Sequence, residues 1–175
     1  KDYGEAAMLY EDLYNSDSVT GDVYSGYQAS LAYGLMGSDN KKISLLTQIV
    51  KNNPTSKLYP LSLFELGRAY VQAGKDRQAT ECFFTLLADS DSSLYEKTLL
   101  QLALINVNNR KYDAAIEYYK TIVAERPYSK EALDAISGLE SIYESQNRTE
   151  EFLAYIDMVG MSSVRSADEK EAMLF

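Results

Sequence analysis

Few residues in this chain have the type and spacing that chemistry needs. The stretch Glu65–Phe84, ELGRAYVQAGKDRQATECFF, gathers a Gly-Lys pair at 74–75 and the single cysteine, Cys82. A phosphate loop follows its Gly-Lys with Ser or Thr to reach the metal, and opens on a glycine so that backbone amides can cradle phosphate. Here Asp76 follows Lys75, and Ala69 stands where the opening glycine belongs. The motif is absent. Gly74 reads instead as the left-handed residue that ends one helix, with Lys75 starting the turn. Cys82 lies beside Phe83 and Phe84 in a helical pattern, in a chain without histidine. A thiol lacking a base to ionise it behaves as a small hydrophobe.

The remaining candidates have plainer readings too. DSDS at 89–92 offers two carboxylates but lacks the glycine and terminal glutamate of a calcium loop, and suits helix capping. The pairs Glu150/Glu151 and Glu169/Glu171 fall near expected helix starts, where the helix dipole favours negative charge. Asn147-Arg148-Thr149 matches a glycosylation sequon, but on an inter-helix turn where a chance match is the simpler reading. The absence of histidine removes the commonest general base, the usual zinc ligand and the Ser-His-Asp arrangement together. No catalytic, cofactor-binding or metal-binding residue is assigned, and the chain reads as a non-enzyme.

Composition narrows the function classes further. Of 175 residues, 46% are hydrophobic and 25% charged, which is a folding rather than a disordered composition. Three prolines and nine glycines leave long uninterrupted stretches, which points to helix. No apolar run is long enough to span a membrane. The net charge is −9, with acid in excess towards both ends and balanced by base in the middle. Such a chain repels nucleic-acid phosphates, so no nucleic-acid partner is expected. The opening at Lys1 and the apolar EAMLF ending suggest a fragment of a longer protein.

Internal repetition supplies the frame that would position any site. KDYGEAAMLYEDL (1–13) aligns with KYDAAIEYYKTI (111–122), and QASLAYGLMG (28–37) with ELGRAYVQAG (65–74). SGLESIYESQNRTEEF (137–152) continues the series. One register position runs Ala6, Lys42, Ala79, Ala115 and Phe152, at spacings of 36, 37, 36 and 37. Each unit shows two amphipathic helices about a short turn; in the second full unit Leu63, Leu66, Gly67 and Tyr70 come before it and Ala79, Phe83 and Leu86 after it. Gly67 and Ala79 are expected at a helix crossing that admits no larger side chain. Pro54 and Pro127 are expected just past the second helices, which they stop.

Leu66, Gly67, Tyr70, Ala79 and Phe83, with a late proline at 54 and 127, resemble the tetratricopeptide repeat (TPR) family. The resemblance covers the chain, with departures. The period exceeds the family's usual length of about 34, the glycine slot holds Ser30, Ala103 and Glu140, and Lys42 and Phe152 replace the small alanine. It implies an all-α, right-handed superhelical solenoid of antiparallel helix pairs. The expected layout is a single array over 1–175. It has a half repeat at 1–14, hairpins near 20–52, 57–89, 93–126 and 130–160, and the start of another repeat at 167–175.

Function follows from the same resemblance. TPR arrays line a concave groove with their first helices, and the family register assigns to it Tyr24, Tyr27 and Leu31, then Leu61, Phe64 and Arg68, then Lys97, Leu100 and Leu104. A fourth set, Asp134, Ser137 and Ser141, is polar. Chaperone-clamping TPR domains carry Lys and Asn at slots that here hold Tyr27/Leu31, Phe64/Arg68 and Leu100/Leu104, so only Arg68 could meet a carboxylate. The expected role is a scaffold binding an apolar or aromatic segment of another protein in that groove. The phrase NPTSKLYPLSLFELGRAYVQAGK (53–75) is similar to bacterial cell-envelope TPR proteins, which points to envelope assembly and a periplasmic or outer-membrane-associated location. The alternatives are a glycan- or small-ligand-binding module, suggested by fifteen tyrosines, or a passive spacer in a longer repeat array.

Overall fold

The structure, a computed structural model, describes residues 2–16, 22–88 and 93–160. Regular structure among these is α-helix: α1 (Tyr3–Ser16), α2 (Val23–Leu35), α3 (Asp39–Asn52), α4 (Tyr59–Gln72), α5 (Asp76–Leu86), α6 (Tyr95–Asn108), α7 (Tyr112–Glu125), α8 (Lys130–Ser145) and α9 (Thr149–Met158). The repeat start at 167–175, DSDS at 89–92 and Glu169/Glu171 lie outside the described residues. The chain divides into two compact units, Lys1–Ile105 and Asn106–Phe175.

The turns explain the period. Gly37, Gly74, Arg110 and Asn147 each follow a helix with φ of 69°, 68°, 57° and 57°. Past each, the amide of Ser38, Lys75, Lys111 or Arg148 donates to the carbonyl five residues back, at Tyr33, Tyr70, Asn106 or Tyr143, over 2.8–2.9 Å. The left-handed residue's own amide donates to the carbonyl three residues back in all four cases. This is the Schellman pattern, which satisfies carbonyls that a helix end leaves without partners. Its spacings of 37, 36 and 37 follow the sequence repeat, and Gly74 takes the left-handed role expected of it. Pro54 and Pro127 lie just past α3 and α7.

In unit 1, α1 packs on α2, α2 on α3, α3 on α4 and α4 on α5. The tightest approach is at Gly67, where a Cβ would lie 2.6 Å from Cε1 of the fully buried Phe83. No side chain fits there, which is why α4 carries glycine at that crossing. Ala79 is fully buried beside it in α5. The α1 stripe differs from the one the repeat alignment suggests. Ala6 and Tyr10 are half-buried and Leu13 is 46% exposed, whereas Ala7 and Tyr14 are buried. The face that meets α2 runs through residues 7, 11 and 14, because the Tyr14 ring lies against Gly26 and Glu11 accepts a hydrogen bond from the Tyr33 hydroxyl.

In unit 2, α7 packs on α8 and α8 on α9. The glycine slot at Glu140 is half-buried, and the close approach comes at Gly138 instead, against the Tyr119 ring. Phe152, in a slot that holds alanine at 6, 79 and 115, is buried with its ring centroid 6.3 Å from that of Tyr143. The two tilted rings pack on each other as an aromatic pair.

Candidate functional site

Of the residues weighed above for chemistry, the described Cys82, Glu150 and Glu151 occupy structural positions. Cys82 is buried, and burial above all, with the charge of Glu81, pushes its thiol up to about 11. It is therefore a protonated thiol at neutral pH, the form that does not attack electrophiles. Glu150 and Glu151 sit in the first turn of α9. Glu151 pairs with Arg148 at 2.7 Å, and that bond holds its carboxyl below the usual range. Arg148 in turn lies over the Tyr143 ring. Among the described residues, no group of three or more His, Cys, Asp or Glu could hold a metal ion. No described helix is long and apolar enough to cross a membrane.

The first-helix residues separate into several environments. Tyr24 is 57% exposed, and Leu61, Arg68, Lys97 and Leu104 are exposed as well. Tyr27, Leu31 and Leu100 are half-buried. Phe64 is different: at 8% exposure its ring meets Phe83 with centroids 5.8 Å apart and planes 58° from parallel. That geometry makes Phe64 part of the α4–α5 core, with little surface left for a partner. Asp134, Ser137 and Ser141 are exposed on α8 in unit 2.

Three of these residues come together where α2, α3 and α4 meet, around a charged network that sequence patterns did not single out. Lys42 of α3 is buried, and its Nζ donates to Glu65 Oε2 of α4 at 2.9 Å. The second carboxylate oxygen of Glu65 accepts from Arg68 Nη1 at 2.8 Å. Tyr27 stands within electrostatic reach. Burial raises its hydroxyl pKa first, the charge of Glu65 adds to this, and Arg68 works against it. Beside the network a cleft of about 330 Å3 is lined by Leu31, Gly34, Leu35, Lys42 and Gln72.

Lys42 fits the small-residue slot because of what it faces. Its stem runs across α2 at Gly34, where a Cβ would lie 3.1 Å from Lys42 Cδ, and its ammonium passes on to Glu65. A long side chain thus replaces alanine by lying along the neighbouring helix and delivering its charge to a partner. The signal in the sequence was the anomaly itself, a lysine in an apolar register, together with the Glu65–Arg68 spacing of three that pairs charges on one helix face.

Comparison with known proteins agrees with this architecture. The family model described as tetratricopeptide repeat matches residues 97–129, spanning most of α6 and all of α7. No curated protein matches the chain. Among solved structures, a crystal structure of MamA superposes with a TM-score of 0.74 at 20% identity, covering 95% of this chain and 92% of that one. A Podosopora anserina kinesin light chain with nearly identical TPR-like repeats gives 0.70 at 19% identity, covering 94% and 88%. At that identity the likeness establishes the fold, an all-α helical-repeat solenoid.

Proposed function

We propose that this chain, built of tetratricopeptide-type helical repeats, is a non-enzymatic scaffold that binds a segment of another protein along its first helices. The observation that carries this reading is the surface of α2, α4 and α6 in unit 1. There Tyr24, Leu61 and Leu104 stand exposed, and Tyr27, Leu31 and Leu100 half-exposed, on helices that a purely structural role would make polar outside. Apolar surface of this kind marks interaction sites, and each large side chain covered contributes on the order of 1.5–3 kcal/mol gross. Phe64 supports the surface from beneath rather than lining it.

The glycan-binding alternative loses support because Tyr14, Tyr33, Tyr119 and Tyr143 are buried in helix packing. Placement in a bacterial envelope-assembly system is supported by the resemblance of the phrases at 53–75 and 129–156, and fractionation of the source cell tests it directly. The binding surface is tested by placing a photo-crosslinking residue at Tyr24 or Leu61, and at Gln48 or Thr85 on the second helices as controls. Protein adducts should form from the first-helix positions in the source cell. Adducts confined to Gln48 and Thr85 would assign binding to the opposite surface and overturn the reading.

A further inference from the structure

The charged network and the cleft beside it say what kind of segment suits this surface. Helix α2 carries no charged residue, and α4 and α6 carry only Glu65, Arg68, Glu96 and Lys97. Of these, the exposed pair, Arg68 and Lys97, is positive, while Glu65 and Glu96 are half-buried. In a chain of net charge −9 these three helices balance to zero, with the positive member of each pair the more exposed. Glu65 cannot serve a partner cation well, because its two oxygens already accept from Lys42 and Arg68 at 2.9 and 2.8 Å.

Arg68 is in the opposite condition. Its side chain is 46% exposed, one nitrogen is anchored on Glu65, and its remaining guanidinium donors have no partner among the described residues. A guanidinium fixed on one side by a carboxylate that is itself fixed by a buried lysine presents its free edge in a set direction. Such pre-organisation lowers the cost of binding a planar acceptor. One turn further along α4, Gln72 lines the cleft with Leu31, Leu35 and the Lys42 stem. An apolar hollow and a donor fork therefore lie one helical turn apart.

We propose that this surface takes a protein segment carrying an acidic side chain next to a bulky apolar one, the carboxylate meeting Arg68 and the apolar group entering the cleft beside Leu31. The inference rests on the scaffold reading and adds the chemistry of the partner. Glu65 acts as a positioning residue, and Lys42 holds Glu65 in place. The attractive element is charge complementarity, which confers specificity more than raw affinity.

The test uses three libraries of short peptides blocked at both ends, identical in randomised apolar neighbours and differing only in a central Glu, Gln or Lys. Retention is measured on the immobilised whole chain, and the site is located from amide shifts in 15N–1H spectra. The Glu library should be retained about tenfold over the other two, as expected of one charge-assisted hydrogen bond, with shifts in α2 and α4. Arg68→Gln should abolish the preference while keeping residual binding of all three libraries, and Arg68→Lys should restore part of it. Equal retention of the three libraries with shifts in α2 and α4, or a preference for Lys, would overturn the acidic-segment inference and leave the scaffold surface standing. Absence of any shift in α2, α4 and α6 with all libraries would overturn both.

Discussion

Replacing Gly67 by alanine sets two known effects against each other, and the structure decides which wins. In an exposed helix interior Gly→Ala stabilises by about 0.8–1 kcal/mol, because alanine has less backbone entropy to lose. At 67 the new Cβ would stand 2.6 Å from Phe83 Cε1 and 2.8 Å from Cζ, roughly 1 Å inside ordinary carbon contact. Phe83 cannot yield easily, since it is fully buried and its ring is held against Phe64. Overpacking costs about 1–3 kcal/mol, and a 2.6 Å approach to a fully buried ring belongs in the upper half of that range, so after the helix gain is subtracted the expected net effect is a destabilisation of about 1–2 kcal/mol. Urea unfolding followed by circular dichroism at 222 nm should show the midpoint fall by about 0.5 M, given a slope of a few kcal/mol/M. The companion Phe83→Leu should cost stability alone by opening a cavity. The double variant should be less destabilised than the sum of the two, because one change relieves the clash that the other creates. A midpoint for Gly67→Ala equal to or above that of the parent would refute the crossing geometry, as would strict additivity in the double variant.

Other consequences are tested more briefly. Glu65→Gln leaves the buried Lys42 ammonium without a counter-charge and should destabilise by about 1–3 kcal/mol. Lys42→Met should cost less, since Glu65 keeps Arg68 and a stem still covers Gly34; chemical unfolding of both variants compares them. Arg110→Gly removes a side chain from a left-handed residue and should raise stability by up to about 1 kcal/mol, read from the same midpoints. Cys82 has its thiol raised from 9.0 to about 11 by folding, so the thiolate is favoured in the unfolded chain. The stability this contributes is complete below pH 9 and is lost as pH rises from 9 towards 11. Alkylation of the native protein by iodoacetamide should accordingly be slow at pH 8 and fast in denaturant.

The regular part of the fold was legible because it is local. A period of 36 or 37 shows in alignments of small and aromatic residues, and Gly74 is a left-handed terminator that composition reveals. Arg110 and Asn147 take the same conformation without being glycine, so only the period pointed to them. The errors arose where packing rather than periodicity decides. Helical spacing places Phe64 on a face but does not say which way a residue at the edge of that face leans, and the ring of Phe83 draws it inward. The α1 stripe shifted by one residue for the same reason, because the Tyr14 ring found the space at Gly26. The Lys42–Glu65 pair joins residues 23 positions apart in neighbouring helices, beyond the reach of any single-helix pattern.

The four Schellman turns carry an implication for how such a chain can change length. Residues 36–38, 73–75, 109–111 and 146–148 form connectors of three residues each, fixed by the same pair of backbone bonds. The connectors at 53–58 and 126–129 are six and four residues long and share no such frame. An added residue in the first kind would break two bonds and misplace the helix that follows, whereas the second kind already differ among themselves. Insertions and deletions should therefore accumulate between helix pairs and spare the turns within them, so that lineages of this chain diverge in spacing while keeping the hairpin itself unchanged.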